Sequence, residues 1–203
     1  TLESLREQSY PRWEAVVGFA PDVDGALRQE LANAFAAEPR VLVLAPSDAE
    51  GHGQLDACAA RAGGHYLAVL EAGDILAPRA LNEIATALVR SPDSDIVYSD
   101  EDELNADGLR DRPLFKPCWS PDLLYAFNYF GRLTLLRRSL VIAAGGFDSA
   151  LAEAVEWDLN LRVSELAQTI TRVPKVLCHR RHGSDRDRPA AATEAARQHR
   201  AAI

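Results

Sequence analysis

Short apolar runs alternate with helical segments in the first half of the chain, and this alternation limits the possible folds more than any other feature. The runs at 15–19, 41–44 and 66–70 are predicted to be buried strands, with helices before and after each of them. This order favours a parallel sheet covered on both faces. It begins on a helix at 2–8, whereas a doubly wound unit begins on a strand. We therefore expect a first strand to be missing, and the centre of the sheet to be exposed.

The second half departs from the regular alternation. A strand predicted at 95–99 runs directly into the acidic residues 100–103. A last strand is predicted at 169–178. Pro174 interrupts it, and because proline cannot donate to a strand ladder, it predicts an edge position for this strand.

The chain contains no methionine, so we expect it to begin partway through a longer, multidomain protein. Residues 190–202 are rich in Ala and Arg and have little apolar surface, which is typical of a linker helix. We therefore predict one domain at 1–188 and a C-terminal linker helix at 189–203.

Composition excludes several classes of partner. The formal net charge of −8 disfavours binding to nucleic acid, and no apolar run is long enough to cross a bilayer. The three cysteines are widely separated and show no zinc-site spacing, which predicts reduced thiols in a cytoplasmic setting: Cys58, Cys118 and Cys178.

Acidic residues follow two of the predicted strands. Glu71 and Asp74 come after the third strand, and Asp100 and Asp102 come after the fourth. Ligands of open parallel sheets bind at these strand ends, and carboxylates gathered there suit a divalent cation that holds a diphosphate. On the residues alone, solvated loop carboxylates are the more frequent explanation.

Three further features have both a chemical and a structural interpretation. Glu156, on a predicted helix, is either a general base or an ordinary exposed charge. The basic residues at 179–182 either contact phosphate or end a strand in solvent. Four aromatic residues either stack on sugar rings or build a core: Trp119, Tyr125, Tyr129 and Phe130.

Motifs in the second half, taken together and in order, resemble bacterial glycosyltransferase family 2. They lie at 98–104, 115–124, 128–131, 145–147 and 156–162, and residues 2–11 are similar to the first helix of that family. The resemblance implies a GT-A type α/β/α sandwich with a mostly parallel, Rossmann-like sheet. It also implies an inverting transferase that uses a nucleotide-diphosphate sugar, with Mg²⁺ or Mn²⁺ as cofactor.

The donor half departs from the family pattern. The metal-binding Asp-x-Asp-Asp motif corresponds here to 71–74, where Glu71 replaces the first Asp and only Asp74 matches. His179 matches a C-terminal histidine that lies near the diphosphate in related enzymes. The resemblance thus implies a metal held by Glu71, Asp74 and His179, through a degenerate motif. The usual nucleotide-binding Asp after 15–18 and the Asn/Arg-rich stretch at 51–62 have no match.

The acceptor half matches the family better. Glu156 corresponds to the catalytic base, with a side chain one methylene longer than the usual Asp. Residues 115–131 are expected to form part of the acceptor side. The expected substrate-binding residues are Asp100, Asp102, Lys116, Trp119, Asn128, Trp157 and Asp158.

The resemblance therefore predicts an inverting transferase acting in cell-surface polysaccharide synthesis. Its expected partners are a UDP-sugar donor and a glycan or lipid-linked acceptor, and its expected location is the cytoplasm or the inner face of the membrane. The alternative is a weak or inactive GT-A module that serves as a binding or scaffold domain of a larger transferase. An unrelated α/β nucleotide-binding domain is a third option, against which the ordered motifs argue.

Overall fold

A computed structural model describes residues 1–20, 23–45 and 53–181, without the side chains of 152 and 153. The predicted linker helix at 189–203 lies outside these ranges. Five residues of other segments with a predicted feature also lie outside them: 21, 22, 51, 52 and 182. The described helices are α1 (Leu2–Arg6), α2 (Gly25–Ala34), α3 (Gln54–Arg61), α4 (Ala80–Arg90), α5 (Pro121–Ala126), α6 (Arg138–Ala143), a 3₁₀ helix (Ser149–Ala154) and α7 (Val155–Leu166). The described strands are β1 (Ala15–Val17), β2 (Val41–Val43), β3 (Tyr66–Leu67), β4 (Ile75–Leu76), β5 (Ile96–Leu104), β6 (Arg110–Leu114), β7 (Leu135–Arg137) and β8 (Ile170–Arg181).

These strands form two sheets. β1 and β2 pair in parallel as a two-stranded sheet, and a six-stranded sheet has the order β3-β7-β5-β8-β4, with β6 paired to β5. The predicted α/β class is confirmed. The pairing is mixed rather than mostly parallel, because β4, β6 and β7 run antiparallel to their neighbours and, in the larger sheet, only β5 and β8 pair in parallel.

The prediction that the last strand lies at an edge is wrong. β8 lies between β5 and β4, and Pro174 falls where the ladder with β5 shifts register. Ser99 pairs with Val173, whereas the next residue of β5 pairs with Val176. A proline is tolerated at this bulge, because no ladder hydrogen bond is required of it there.

β5 is the centre of the domain and is longer than predicted. Its residues contribute alternately to the two faces of the sheet, as the period of a strand requires. Ile96 and Tyr98 belong to an apolar cluster with α7, whereas Val97 belongs to a second cluster with α4. The acidic residues that follow extend the same strand and are also buried.

Apolar residues therefore cover both faces of the sheet near the start of β5. Charged side chains lie instead toward the ends of the strands and in the turns. Within the described ranges, no helix combines the length and the apolar character that a membrane span requires.

Candidate active site

Three acidic side chains predicted for donor binding and catalysis converge on one arginine. Arg132 contacts the carboxylate of Glu71 through Nη2, and its Nε lies 3.4 Å from Oδ2 of Asp74. Its Nη1 donates to both carboxylate oxygens of Glu156, at 2.7 and 2.9 Å. The structure thus brings two of the three predicted metal-site residues and the predicted base together around a positive charge.

The turn between β3 and β4 supplies Glu71 and Asp74. Asp74 is buried, and its Oδ2 accepts a hydrogen bond from the backbone N–H of Glu71 at 2.8 Å, which closes the turn. Gly73 has a φ of +100°, a conformation that side chains with a Cβ rarely adopt. Thr1 fixes the turn from α1, since its hydroxyl donates to Glu71 O and accepts from the Gly73 N–H.

Arg132 and Glu156 come from the other side of the site. The backbone N–H of Arg132 donates to Oε2 of Glu101 on β5 at 2.8 Å, which fixes the position of this loop residue. Glu156 lies in the first turn of α7, where the helix N-terminus stabilises negative charge. The two side chains meet across a separation of 24 residues in sequence.

The electrostatics of the site follow from burial. The Arg132 side chain is 11% exposed. Burial alone would lower the pKa of Arg132, but the charges of Glu156, Glu71 and Asp74 outweigh burial and raise the pKa above its ordinary value. Burial also raises the pKa of the Asp74 carboxyl, against the opposing effects of the Glu71 amide and the Arg132 charge. Arg132 is therefore a fixed positive charge.

The predicted metal set does not assemble among these residues. In the described ranges, no group of three or more His, Cys, Asp and Glu side chains could hold a metal ion. His179 shares a 2.5 Å hydrogen bond with Asp102 through Nδ1, and Glu71 and Asp74 contact Arg132. A resident divalent metal therefore does not fit these side chains as arranged, and the metal cofactor stays a prediction.

Asp100 and Asp102, predicted to bind substrate, lie buried on β5 with cationic partners. Asp100 accepts hydrogen bonds from Arg172 at 3.0 and 3.1 Å. Asp102 accepts a hydrogen bond from Arg110 at 2.6 Å and also pairs with His179. In this structure, both carboxylates therefore have a structural role as partners of cationic side chains.

Lys116, also predicted to bind substrate, is fully buried. Its Nζ donates to Oε2 of Glu101 at 3.0 Å and to the backbone carbonyl of Phe130 at 2.6 Å. Glu101 thus joins Lys116 to the backbone of Arg132, and the lysine supports the active-site loop from beneath.

The aromatic residues divide between core and surface. Tyr129 and Phe130 are fully buried and pack on Tyr98, so they build the core. Trp119 is partly exposed, with its ring centroid 5.7 Å from that of Phe130. Trp119 is therefore exposed enough to meet a ligand on the predicted acceptor side, as are Phe115 and Phe127.

The remaining predicted substrate residues have partners within the protein. Asn128 accepts a hydrogen bond from Asn160 of α7 at 3.0 Å. Trp157 is buried and donates from Nε1 to the carbonyl of Leu124 at 2.7 Å. Asp158 forms an ion pair with Arg162 one turn along α7.

A small cavity of about 20 Å³, room for about one water molecule, lies next to Glu156. Its walls come from the end of β3, the loop before β7, and α7. The lining residues include Val69, Gly131, Thr134, Glu156 and Asn160. Glu156 therefore faces a small cavity with mostly apolar walls, and this cavity is far smaller than the pockets that hold drug-sized ligands.

Sequence reasoning missed Arg132 and Glu101. Arg132 directly follows the motif at 128–131 and was assigned only to a strand, yet it organises all three site carboxylates. An arginine next to a recognised motif is the only signal in the sequence, and the sequence alone does not indicate its partners. Glu101 lies within the acidic stretch, but nothing in the sequence distinguishes it from its neighbours there.

The chain is similar to parts of two much longer bacterial proteins. It is 35% identical over 184 residues to the O-antigen biosynthesis protein RfbC of Myxococcus xanthus, and 36% identical over 180 residues to the uncharacterized protein y4gI of Sinorhizobium fredii. These alignments cover 90% and 87% of the chain, but the chain spans only 14% and 20% of the two relatives. No family model matches the chain.

Solved structures of TarS from S. aureus share the fold. TarS 1–349 in complex with UDP has a TM-score of 0.69, and its complex with UDP-GlcNAc has a TM-score of 0.71, both at 17% sequence identity. The likeness covers 89% of this chain and 55% and 53% of those chains. At this identity it speaks to the fold alone, and it confirms the predicted GT-A-like α/β fold. The chain is thus similar in sequence to part of an O-antigen biosynthesis protein and similar in fold to TarS, whereas membership of glycosyltransferase family 2 stays a prediction.

Proposed function

We propose that the chain is a glycosyltransferase domain that moves a sugar from a nucleotide-diphosphate sugar to a hydroxyl of a glycan or lipid-linked acceptor in cell-surface polysaccharide synthesis. The observation that carries the proposal is the convergence of Glu71, Asp74 and Glu156 on Arg132. The relationship to an O-antigen biosynthesis protein supports the polysaccharide context. The fold shared with TarS, which binds UDP and UDP-GlcNAc, supports a UDP-sugar as donor.

Glu156 is the proposed general base of an inverting reaction. Its carboxylate takes the proton from an acceptor hydroxyl, and the hydroxyl oxygen attacks the anomeric carbon from the face opposite the diphosphate. The bond from that carbon to the diphosphate oxygen breaks, and the nucleoside diphosphate leaves with the electron pair. Arg132 orients Glu156 by contacting both of its oxygens.

The donor diphosphate is proposed to lie over the turn of Glu71 and Asp74. The exposed side chain of Arg181 lies next to this turn. A Cβ atom added to Gly73 would be 3.3 Å from the Cβ atom of Arg181. A guanidinium there is a suitable partner for phosphate oxygens.

A second candidate function is a binding or scaffold module without transfer activity. The degenerate metal motif favours it, since the two carboxylates that remain are already paired with Arg132. This module would still bind a nucleotide or a glycan, but Glu156 would have no catalytic role.

Calorimetric titration of UDP, with and without Mn²⁺, tests the donor part of the proposal. We expect saturable binding of UDP, because the guanidinium of Arg181 beside the turn is a suitable partner for the diphosphate, and TarS, which shares the fold, binds UDP. ADP and GDP, titrated under the same conditions, are expected to bind more weakly. If no nucleoside diphosphate binds, the chain has no donor site and the proposed function is wrong.

A further inference from the structure

Contacts to both the backbone and the side chain of Arg132 hold this residue in its position. Its backbone N–H is fixed by Glu101, which is itself held by the buried Lys116. Its side chain is 11% exposed and contacts carboxylates from two separate parts of the chain, the turn at 71–74 and the start of α7. Movement of the guanidinium would separate its charge from the buried carboxylate of Asp74, which is unfavourable where water is excluded.

A divalent cation at Glu71 and Asp74 would have to share these two carboxylates with Arg132. Asp74 Oδ2 already accepts from the Glu71 amide and faces Nε of Arg132, and Glu71 Oε1 contacts Nη2. A cation close enough to bind these oxygens would lie against the guanidinium, and two positive charges a few ångströms apart repel each other strongly where water is excluded. Arginine and metal are therefore alternatives at this turn.

We propose that Arg132 is the built-in cation of this site, which neutralises Glu71 and Asp74 in place of a divalent metal and keeps divalent cations from binding there. The inference concerns the charge balance of the described side chains. It goes beyond the proposed function, since a transferase with or without a metal would satisfy that function.

Removing the arginine charge should therefore create a metal site. In Arg132→Gln, three carboxylates remain without their cation, and the 41% exposure of the Glu71 side chain allows a hydrated ion to enter. We expect this variant to bind Mn²⁺ at least roughly tenfold more tightly than the wild type, since attraction between opposite charges replaces repulsion. Electron paramagnetic resonance of free Mn²⁺ in titrations of each protein measures the difference.

Matched variants test whether the gain in Mn²⁺ affinity comes from the lost charge of Arg132 and arises at this turn. Arg132→Lys keeps the charge and should show no gain. Arg137→Gln removes an arginine that pairs with Asp95, away from the site, and should also bind Mn²⁺ as the wild type does. Adding Glu71→Gln to Arg132→Gln should remove the gain and thereby locate it at this turn.

The proposal is wrong if the wild type binds Mn²⁺ as tightly as Arg132→Gln does, or if Arg137→Gln shows the same gain. If Arg132→Gln does not fold, the wild-type titration decides: micromolar Mn²⁺ affinity that Glu71→Gln removes overturns the proposal, and its absence supports it. Failure here leaves the proposed transferase standing, whereas failure to bind UDP would contradict the transferase and leave the Mn²⁺ result intact.

Discussion

Replacing Glu156 with Gln is expected to lower the rate of sugar transfer by about 10²–10⁴-fold, the usual contribution of a positioned general base. The amide keeps the size of the side chain and an oxygen that Arg132 can contact, but it cannot take the acceptor proton. Donor affinity should stay nearly unchanged, because the proposed donor contacts lie at the turn and not at the start of α7. Transfer rates at saturating donor, together with calorimetric UDP affinities, separate the two effects.

Glu165→Gln is the matched control for this variant. Glu165 lies on the same helix, on its exposed side, where it accepts a hydrogen bond from Tyr125. The control should transfer sugar as the wild type does. Equal losses of transfer and of donor affinity in Glu156→Gln would show that Glu156 is not the base, and an unchanged transfer rate would favour a catalytic group elsewhere.

Replacing Lys116 with Met is expected to lower the free energy of unfolding by about 3–5 kcal/mol, because it breaks a buried ion pair by removing one partner. Lys116 and Glu101 have 0% and 2% side-chain exposure, so water cannot solvate the carboxylate that is left. The carbonyl of Phe130 would also lose its donor. Denaturant unfolding followed by circular dichroism measures the change.

Lys175→Met is the control for stability. Lys175 forms an ion pair with Glu83 at 2.8 Å, but its side chain is 54% exposed, so we expect a loss of at most about 1 kcal/mol. If Lys116 instead contacts substrate, as the sequence resemblance implied, Lys116→Met would keep its stability and weaken substrate binding. That outcome would contradict the structural role.

Much of the fold was predictable because periodicity reports which face of an element is buried. The strands in the runs at 15–19 and 41–44 and the helix after the third run were recognised in this way, although β1 and β2 are only partly buried and not buried as predicted. The position of β8 was not predictable, since Pro174 is compatible both with an edge strand and with a bulge in an inner strand. Only the pairing of β8 with its neighbouring strands distinguishes the two. The burial of the acidic end of β5 was hidden for a similar reason, because the arginines and the lysine that neutralise it come from distant segments.

The candidate site was predictable to a different extent. Resemblance to a family identified three site residues, Glu71, Asp74 and Glu156. A family motif indicates which positions in the chain belong to a site, whereas composition does not. Arg132 was not found, because its role depends on three carboxylates that meet it only in the folded chain. A metal was expected from the resemblance to the family's metal-binding motif, whereas the charge balance of the site also includes the arginine.

The most direct test of the central claim is to locate UDP on the protein by mapping amide chemical shifts in a ¹⁵N-labelled sample. The account predicts that UDP causes its largest shift changes in the turn at 71–74, with further changes at 131–134 and 155–157, where Arg132 and Glu156 lie. The changes should saturate at the affinity that calorimetry gives. Shift changes confined to other surfaces, or no changes at saturating UDP, would contradict the claim that this site binds the donor of a glycosyltransferase.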